Sequence, residues 1–209
     1  MRSAPFGVVV VLAGSLAAGA AGSKEPVFSI ANLPGLVAPK PPLPEKTRWA
    51  ADTTKERESR AFALADSWLF NPANPSMDTV RRAGFRRGYR RVWSADNFKP
   101  NDDRQVRGFA LLFGTAAGAR TALATMRADS LRRAPAVGGR VLRWHEFGAG
   151  SLGEAATGKK PHAVYEWRVG NVVLVADAGC GGAECQFQDV TAVAHAYARV
   201  LDAGAKRAS

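Results

Sequence analysis

The chain has 209 residues, and its 29 lysine and arginine residues outnumber 18 acidic residues to give a formal net charge of +11. This length supports one domain with a buried core and does not clearly require a second. The positive charge favours polyanionic partners, such as wall polymers, anionic lipid head groups or nucleic acid, without selecting one of them.

The first twenty residues have the three parts of a secretory signal peptide. Met1-Arg2 supplies a positive charge, residues 6–21 carry no charge, and Ala18-Gly19-Ala20 fits the small-x-small rule for cleavage. We therefore predict cleavage after Ala20 and a secreted, periplasmic or cell-envelope location. An uncut membrane anchor is the alternative, but the apolar run has about 16 residues and a membrane span needs about 20. No cysteine follows the run, which argues against a lipoprotein anchor.

Residues 21–48 are predicted to form a proline-rich linker. Five prolines fall within eleven residues: Pro34, Pro39, Pro41, Pro42 and Pro44. Proline favours the extended polyproline II conformation of a semi-rigid spacer. A single globular domain is therefore expected to begin near Trp49 and to fill residues 49–209.

In the first part of that domain, residues 55–67 have the apolar spacing of a short helix. The segment after two Asn-Pro turns fits either helix or strand spacing. Because Gly84 and Gly88 would weaken a helix by about 1 kcal/mol each, we predict a short helix over 78–83 and a strand over 85–93.

The next predicted elements are a strand over 106–113, a helix from its cap Thr115 to about Arg132, and a strand over 139–147. A glycine-rich surface loop is expected over 147–161. It connects to the segment with the clearest hairpin signal in the chain.

That hairpin lies at 162–178, where apolar and polar residues alternate before the turn Gly170-Asn171 and the return strand is apolar on both faces. From Asp189 to Gly204, apolar residues at i, i+3, i+4 and i+7 predict an amphipathic helix. Strands joined by a tight turn imply antiparallel pairing. The predicted fold class is therefore α+β, an antiparallel sheet of about five strands with two or three packed helices, including a C-terminal amphipathic helix.

A cluster of arginines gives the strongest functional signal. Four of them lie in the predicted strand and are our candidate ligand-binding residues: Arg86, Arg87, Arg90 and Arg91. Guanidinium groups bind phosphate and carboxylate through paired hydrogen bonds, and three aromatic residues interleave with them, at Phe85, Tyr89 and Trp93. We predict an anionic partner, an envelope polymer or lipid with peripheral membrane contact, rather than a specific nucleic acid. The alternative is a solvated strand face opposite a core-facing aromatic row.

Cys180 and Cys185 are predicted to form a disulfide, because a close, even pair in an oxidising compartment favours one. No histidine lies within zinc-ligand spacing, and a redox motif has two intervening residues where this pair has four. A disulfide that closes so short a loop stabilises the fold by only about 2 kcal/mol. We predict no metal site and no cofactor.

No catalytic constellation emerges from the motifs. The glycine-rich loop contains G-x-G-x-x-G at 148–153 and most of a P-loop at 153–160, but both motifs need a following helix, and Pro161 leads into a strand. A G-x-S-x-G elbow is absent. Three histidines match no metal pattern: His145, His162 and His195. The sequence thus favours a non-catalytic protein, and a secreted hydrolase with an unrecognised site is the alternative.

Several segments together resemble small exported actinobacterial domains. They are AGFRRGYRRVW, VRGFALLFGTAAGARTAL, SLGEAA and VYEWRVGNVVLVADAGC, followed by an amphipathic terminal helix. The pattern, over residues 60–204, is similar to the extracellular sensor domains of PknH-type serine/threonine kinases and to PsbP-like lipoproteins of the LpqN kind. PknH-type domains have two disulfides, whereas this chain can make one.

The resemblance implies an α+β domain with a cleft, no catalytic residues and a ligand-binding or sensing role. We therefore expect an exported, non-catalytic ligand-binding or sensor-like domain of the cell envelope, whose ligand is anionic or amphiphilic.

Overall fold

A computed structural model describes residues 25–47, 49, 54–64, 76–95, 104–133, 139–143, 146–147, 152–156, 161–181 and 186–209. The predicted signal peptide, residues 1–20, lies outside these ranges.

The described strands form one sheet, and every neighbouring pair in it is antiparallel. The strands are β1 (Thr54–Phe62), β2 (Phe85–Ala95), β3 (Gln105–Phe113), β4 (Gly139–Arg143), β5 (Leu152–Ala156), β6 (His162–Val169) and β7 (Val172–Gly179). Their order in the sheet is β1-β2-β3-β7-β6-β5-β4. The helices are α1 (Leu33–Leu36), α2 (Ser76–Arg82), α3 (Ala116–Arg133) and α4 (Phe187–Arg207). The predicted α+β class is confirmed, with seven strands where about five were expected.

The predicted hairpin forms the centre of the sheet. β6 and β7 are joined at Gly170, whose φ of +56° is a left-handed conformation that glycine adopts without a steric penalty. β7 lies between β3 and β6. A strand pairs with it on each side, and both of its faces are covered. Its apolar residues are therefore fully buried, as predicted from a strand sequence that is apolar on both faces.

Two apolar layers cover the two faces of the sheet. On one face, α4 packs with its predicted apolar residues, among them Val193, Tyr197 and Leu201, all fully buried. On the other face, α2 and α3 cover Phe109, Leu111 and Phe113 of β3. Gly108 of β3 allows α4 to approach closely, since a β-carbon there would stand 2.6 Å from the Tyr197 hydroxyl oxygen.

The prediction of a helix over 55–67 is wrong for the described part of that segment, because residues 54–62 form the edge strand β1. Lys, Glu and Arg favour a helix locally, but a segment this short is marginal as an isolated helix. Its pairing with β2 along its length supplies backbone hydrogen bonds instead. A charged sequence is also typical of an edge strand, where charges hinder pairing with other chains.

Two other boundaries differ from the prediction. The loop expected over 147–161 contains β5, which pairs with β4 on one side and β6 on the other. These ladders on both sides outweigh the weak strand propensity of Gly and Ala. The last helix continues beyond Gly204 to Arg207, and Ala205 in its final turn is fully buried.

The segment predicted as a spacer packs against the domain over residues 25–47. Phe28, Leu33, Leu36 and Val37 are buried in the same apolar cluster as α4. Proline does exclude long regular elements here, since the segment forms only a turn of 3-10 helix at Ile30–Asn32 and the short α1. The apolar residues between the prolines, however, pack against the domain core, and the free energy gained by burying them outweighs the preference of proline for an extended chain.

Candidate functional site

The register of β2 shows where the four candidate arginines point. Arg87 and Arg91 lie opposite Leu112 and Gly108 of β3, on the face that α4 covers, and Arg90 lies opposite Phe109 on the other face. Tyr89 and Trp93 lie on the same face of β2 as Arg87 and Arg91. Phe85 lies on the other face, because the register shifts between Phe85 and Arg87.

The Arg91 side chain is bound by other groups of the same chain. Its Nη1 donates to the carbonyl oxygen of Ala38 at 3.1 Å and lies 3.4 Å from the Glu56 carboxylate. Only 17% of its side chain is exposed. Arg91 therefore fixes the N-terminal segment to β2.

The other three arginines separate into two places. Arg90 is 13% exposed and pairs with Glu58 of β1, whereas Arg86 and Arg87 are exposed at the start of the strand. The four candidates thus do not form one surface. Whether any of them binds a ligand stays a prediction.

A polar cleft lies on the α2/α3 face, beyond the part that the helices cover. The apolar rows of this face end at Phe109 and Val175, and the next residues on the same face of β3 and β7 are Arg107 and Asp177. The cleft has a volume of about 410 Å³, and its lining residues are Arg57, Glu58, Arg90, Val92, Gln105 and Arg107.

Within the cleft, Glu58 is shared by two guanidinium groups. Arg90 donates to its Oε1 from Nε at 3.1 Å and from Nη2 at 2.5 Å. The Nε atom of Arg60 lies 2.5 Å from the same oxygen. One carboxylate therefore faces two fixed positive charges.

The remaining cations of the cleft are held by groups on the neighbouring strands. Arg57 Nε donates to the hydroxyl of Ser94 at 2.5 Å, a neutral partner. Arg107 Nη2 lies 2.7 Å from Oδ2 of Asp177, which is buried. Among the residues that the structure describes at the cleft, four guanidinium groups thus meet two carboxylates, so these groups together carry a net positive charge.

Most of the cleft residues were missed from the sequence. Arg57 and Glu58 fell in the segment predicted as a helix. Arg107 and Asp177 are single charged residues within otherwise apolar strands, a pattern that could have shown them to be partners, because a buried charge needs one.

The described histidines do not form a nucleophile pair in the contacts seen. His195 Nε2 lies 2.9 Å from Oε2 of Glu146, and its ring is near those of Phe147 and Tyr165. His162 lies in β6 opposite Gly179, on the face of the cleft. His145 is outside the described residues.

Two further site predictions can be located. Cys180 is buried beside Pro161, whose carbonyl oxygen accepts its backbone N–H at 3.1 Å, and none of the described cysteines is free. Cys185 lies outside the described residues, so the bond between the two stays a prediction. Among the described residues, no group of three or more His, Cys, Asp or Glu side chains could hold a metal ion. Within the same ranges, no helix has the length and apolarity needed to cross a bilayer.

Comparison with solved structures finds the fold in the extracellular domain of PknH from Mycobacterium tuberculosis. The two share a TM-score of 0.53 and 12% sequence identity, over 86% of this chain and 99% of that one. No family model matches the chain, and no curated protein sequence matches it significantly. The structural likeness confirms the resemblance to PknH-type sensor domains at the level of the fold.

Proposed function

We propose that this protein is an exported, non-catalytic ligand-binding domain of the sensor-like kind, and that the polar cleft is its ligand site. One observation carries the proposal. The α2/α3 face, beyond Phe109 and Val175, holds a cleft lined by three guanidinium groups and the Glu58 carboxylate, and Arg60 and Asp177 pair with lining residues. The shared fold with an extracellular kinase domain supports the sensor-like assignment.

The cleft suits a small ligand that bears a carboxylate or phosphate group. Its volume of about 410 Å³ falls within the usual range for small-molecule sites. Among the described residues, the side-chain partner of Arg57 is the Ser94 hydroxyl, and Arg60 and Arg90 share one carboxylate. An anionic group could accept hydrogen bonds from these guanidinium groups without displacing the Arg107–Asp177 pair.

The same groups favour binding over catalysis. Guanidinium groups stay protonated at all physiological pH values, so they provide fixed charge and hydrogen bonds rather than proton transfer. The secreted-hydrolase alternative would need a nucleophile beside a histidine; the contact described for His195 Nε2 is with the Glu146 carboxylate, at 2.9 Å.

Calorimetric titration with inorganic phosphate and with succinate tests the site and separates the two anionic groups. The Arg57→Gln/Arg90→Gln variant should bind the preferred anion at least about tenfold more weakly, since it loses charge-assisted hydrogen bonds. The matched control, Arg127→Gln/Arg199→Gln, removes two charges from exposed positions of α3 and α4. Equal affinity in both variants, or no binding by the wild type, would contradict the proposed site.

Export is tested separately. We expect the protein recovered outside the cytoplasm to begin between Gly19 and Ser23, and its two cysteines to react with iodoacetamide only after reduction. An exported chain that retains Met1, or that has free thiols before reduction, would contradict this part of the proposal.

A further inference from the structure

We propose that one end of this domain docks on the surface of an anionic phospholipid bilayer. It is the end at which β3 finishes and β6 turns into β7, and we call it the Asn171 end. The proposal goes beyond the ligand-binding function, because it uses residues that do not line the polar cleft.

Hydrogen bonds around Asn171 bring three segments to this end. The Asn171 side chain accepts from the backbone N–H of Phe28 at 2.7 Å and donates to the carbonyl oxygens of Phe28 and Phe113 at 3.0 Å each. Next to Phe113, the N–H of Gly114 donates to the carbonyl oxygen of Gly84 at 2.9 Å. The N-terminal segment, the end of β3 and the start of β2 therefore meet here.

Two aliphatic side chains project into solvent at this end. Val27, beside the anchored Phe28, is 84% exposed, and Ile30 is 57% exposed. Among the described residues, Leu131 is the one other large apolar side chain that is similarly exposed, at 51%. Val27 and Ile30 lie three positions apart on the segment that Asn171 anchors through the backbone of Phe28.

Exposed arginines lie at the start of β2 and at the end of α2, on either side of Gly84. Arg86 and Arg87 are exposed, and the Arg86 guanidinium lies beside Gly114, 3.4 Å from where a β-carbon would stand. Arg81 and Arg82 are exposed in the last turn of α2, just before Gly84.

Few acidic groups offset these charges. Glu25 lies between Arg168, at 2.9 Å, and Arg120, at 3.5 Å, and Asp78 pairs with Arg81. Within the ranges that the structure describes, these six arginines outnumber the two carboxylates that pair with them, which makes the described part of this end positive.

The combination of charge and exposed apolar groups selects a bilayer surface. A soluble acidic polymer would need the arginines alone and would leave Val27 and Ile30 in water. At a bilayer surface, anionic head groups attract the arginines while aliphatic side chains enter the boundary with the acyl chains.

Flotation with lipid vesicles tests the proposal on the exported form of the chain. The exported protein should bind vesicles of phosphatidylcholine with about 30% phosphatidylglycerol. It should bind pure phosphatidylcholine vesicles much less, because arginines are attracted to an anionic surface. Arg86→Gln/Arg87→Gln should weaken binding by about tenfold or more at low salt, since each arginine contributes about fivefold. Val27→Asn/Ile30→Asn should weaken binding to the same vesicles at high salt, where the apolar contacts remain.

Matched controls use exposed residues elsewhere in the molecule. Arg127→Gln/Arg199→Gln removes the same charge, and Leu131→Asn removes the third exposed aliphatic side chain. Both controls should bind vesicles as the wild type does. Losses in the controls equal to those in the test variants, or unchanged binding in the Val27→Asn/Ile30→Asn variant, would overturn the proposal. Binding to soluble polyglutamate that equals binding to the anionic vesicles would instead identify a polymer site.

Discussion

At the scale of single residues, the side chain of Asn171 completes three buried hydrogen bonds between the hairpin, the N-terminal segment and β3. Asn171→Ala removes the partner of three backbone groups. The free energy of unfolding should fall by about 2–4 kcal/mol, because buried polar groups left without a partner cost about 1–3 kcal/mol each. Urea unfolding measures the change. Asn32→Ala, at an exposed position with local contacts, is the control, and an equal loss in the control would show that we have misjudged Asn171.

Two buried tyrosines predict the behaviour of the protein in alkali. Burial raises the pKa of Tyr165 to about 12, with a smaller contribution from the charge of Glu146. Burial also raises the pKa of Tyr197. Since the unfolded chain loses these protons near pH 10 and the folded protein keeps them, the free energy of unfolding should decrease as the pH rises from 10 to 12.

Urea unfolding at several pH values between 9 and 12 measures that dependence. Tyr165→Phe should reduce the slope over this range, because the variant has no proton to lose at that position. A slope that is the same in the variant and in the wild type would show that Tyr165 does not contribute.

At the scale of elements, the N-terminal segment is part of the core. Leu36 is buried against α4 and its neighbours, while Ile30, six residues earlier, is exposed. Leu36→Ala should lower the free energy of unfolding by about 2–5 kcal/mol, and Ile30→Ala should change it by less than about 0.5 kcal/mol. Equal, small effects would support the semi-rigid spacer that the prolines predicted.

The elements also show how far local sequence determines this fold. The β6–β7 hairpin and helix α4 were predictable, since their apolar periodicity agrees with their local propensity, and α3 was predictable from its cap Thr115 and its helix-forming residues. β1 and β5 were not, because the charged residues of β1 and the Gly and Ala of β5 have weak strand propensity, and pairing with neighbouring strands overrides it. The arginine-rich strand was found, but the division of its arginines among three places was not. A register shift at Arg86 and pairing with the unpredicted β1 cause that division.

At the scale of the whole molecule, the charge of +11 is distributed over surfaces with different surroundings. The polar cleft combines guanidinium groups with carboxylates and is framed by strands, whereas the Asn171 end combines arginines with exposed aliphatic residues. The two surfaces lie apart along β2, since Arg86 and Arg87 begin the strand and Val92 and Ser94 lie near its end. Binding at one surface can therefore be tested with the other intact.

The most direct test of the proposed ligand site is a map of backbone amide chemical shifts during titration with inorganic phosphate and, separately, with succinate. We predict that saturable shifts with one of these anions will centre on Val92, Gln105 and Arg107, and that they will persist in the Arg86→Gln/Arg87→Gln variant. Shifts that centre on Arg86 and Arg87, or that fail to saturate at any position around the cleft, would contradict the assignment of the cleft as the ligand site.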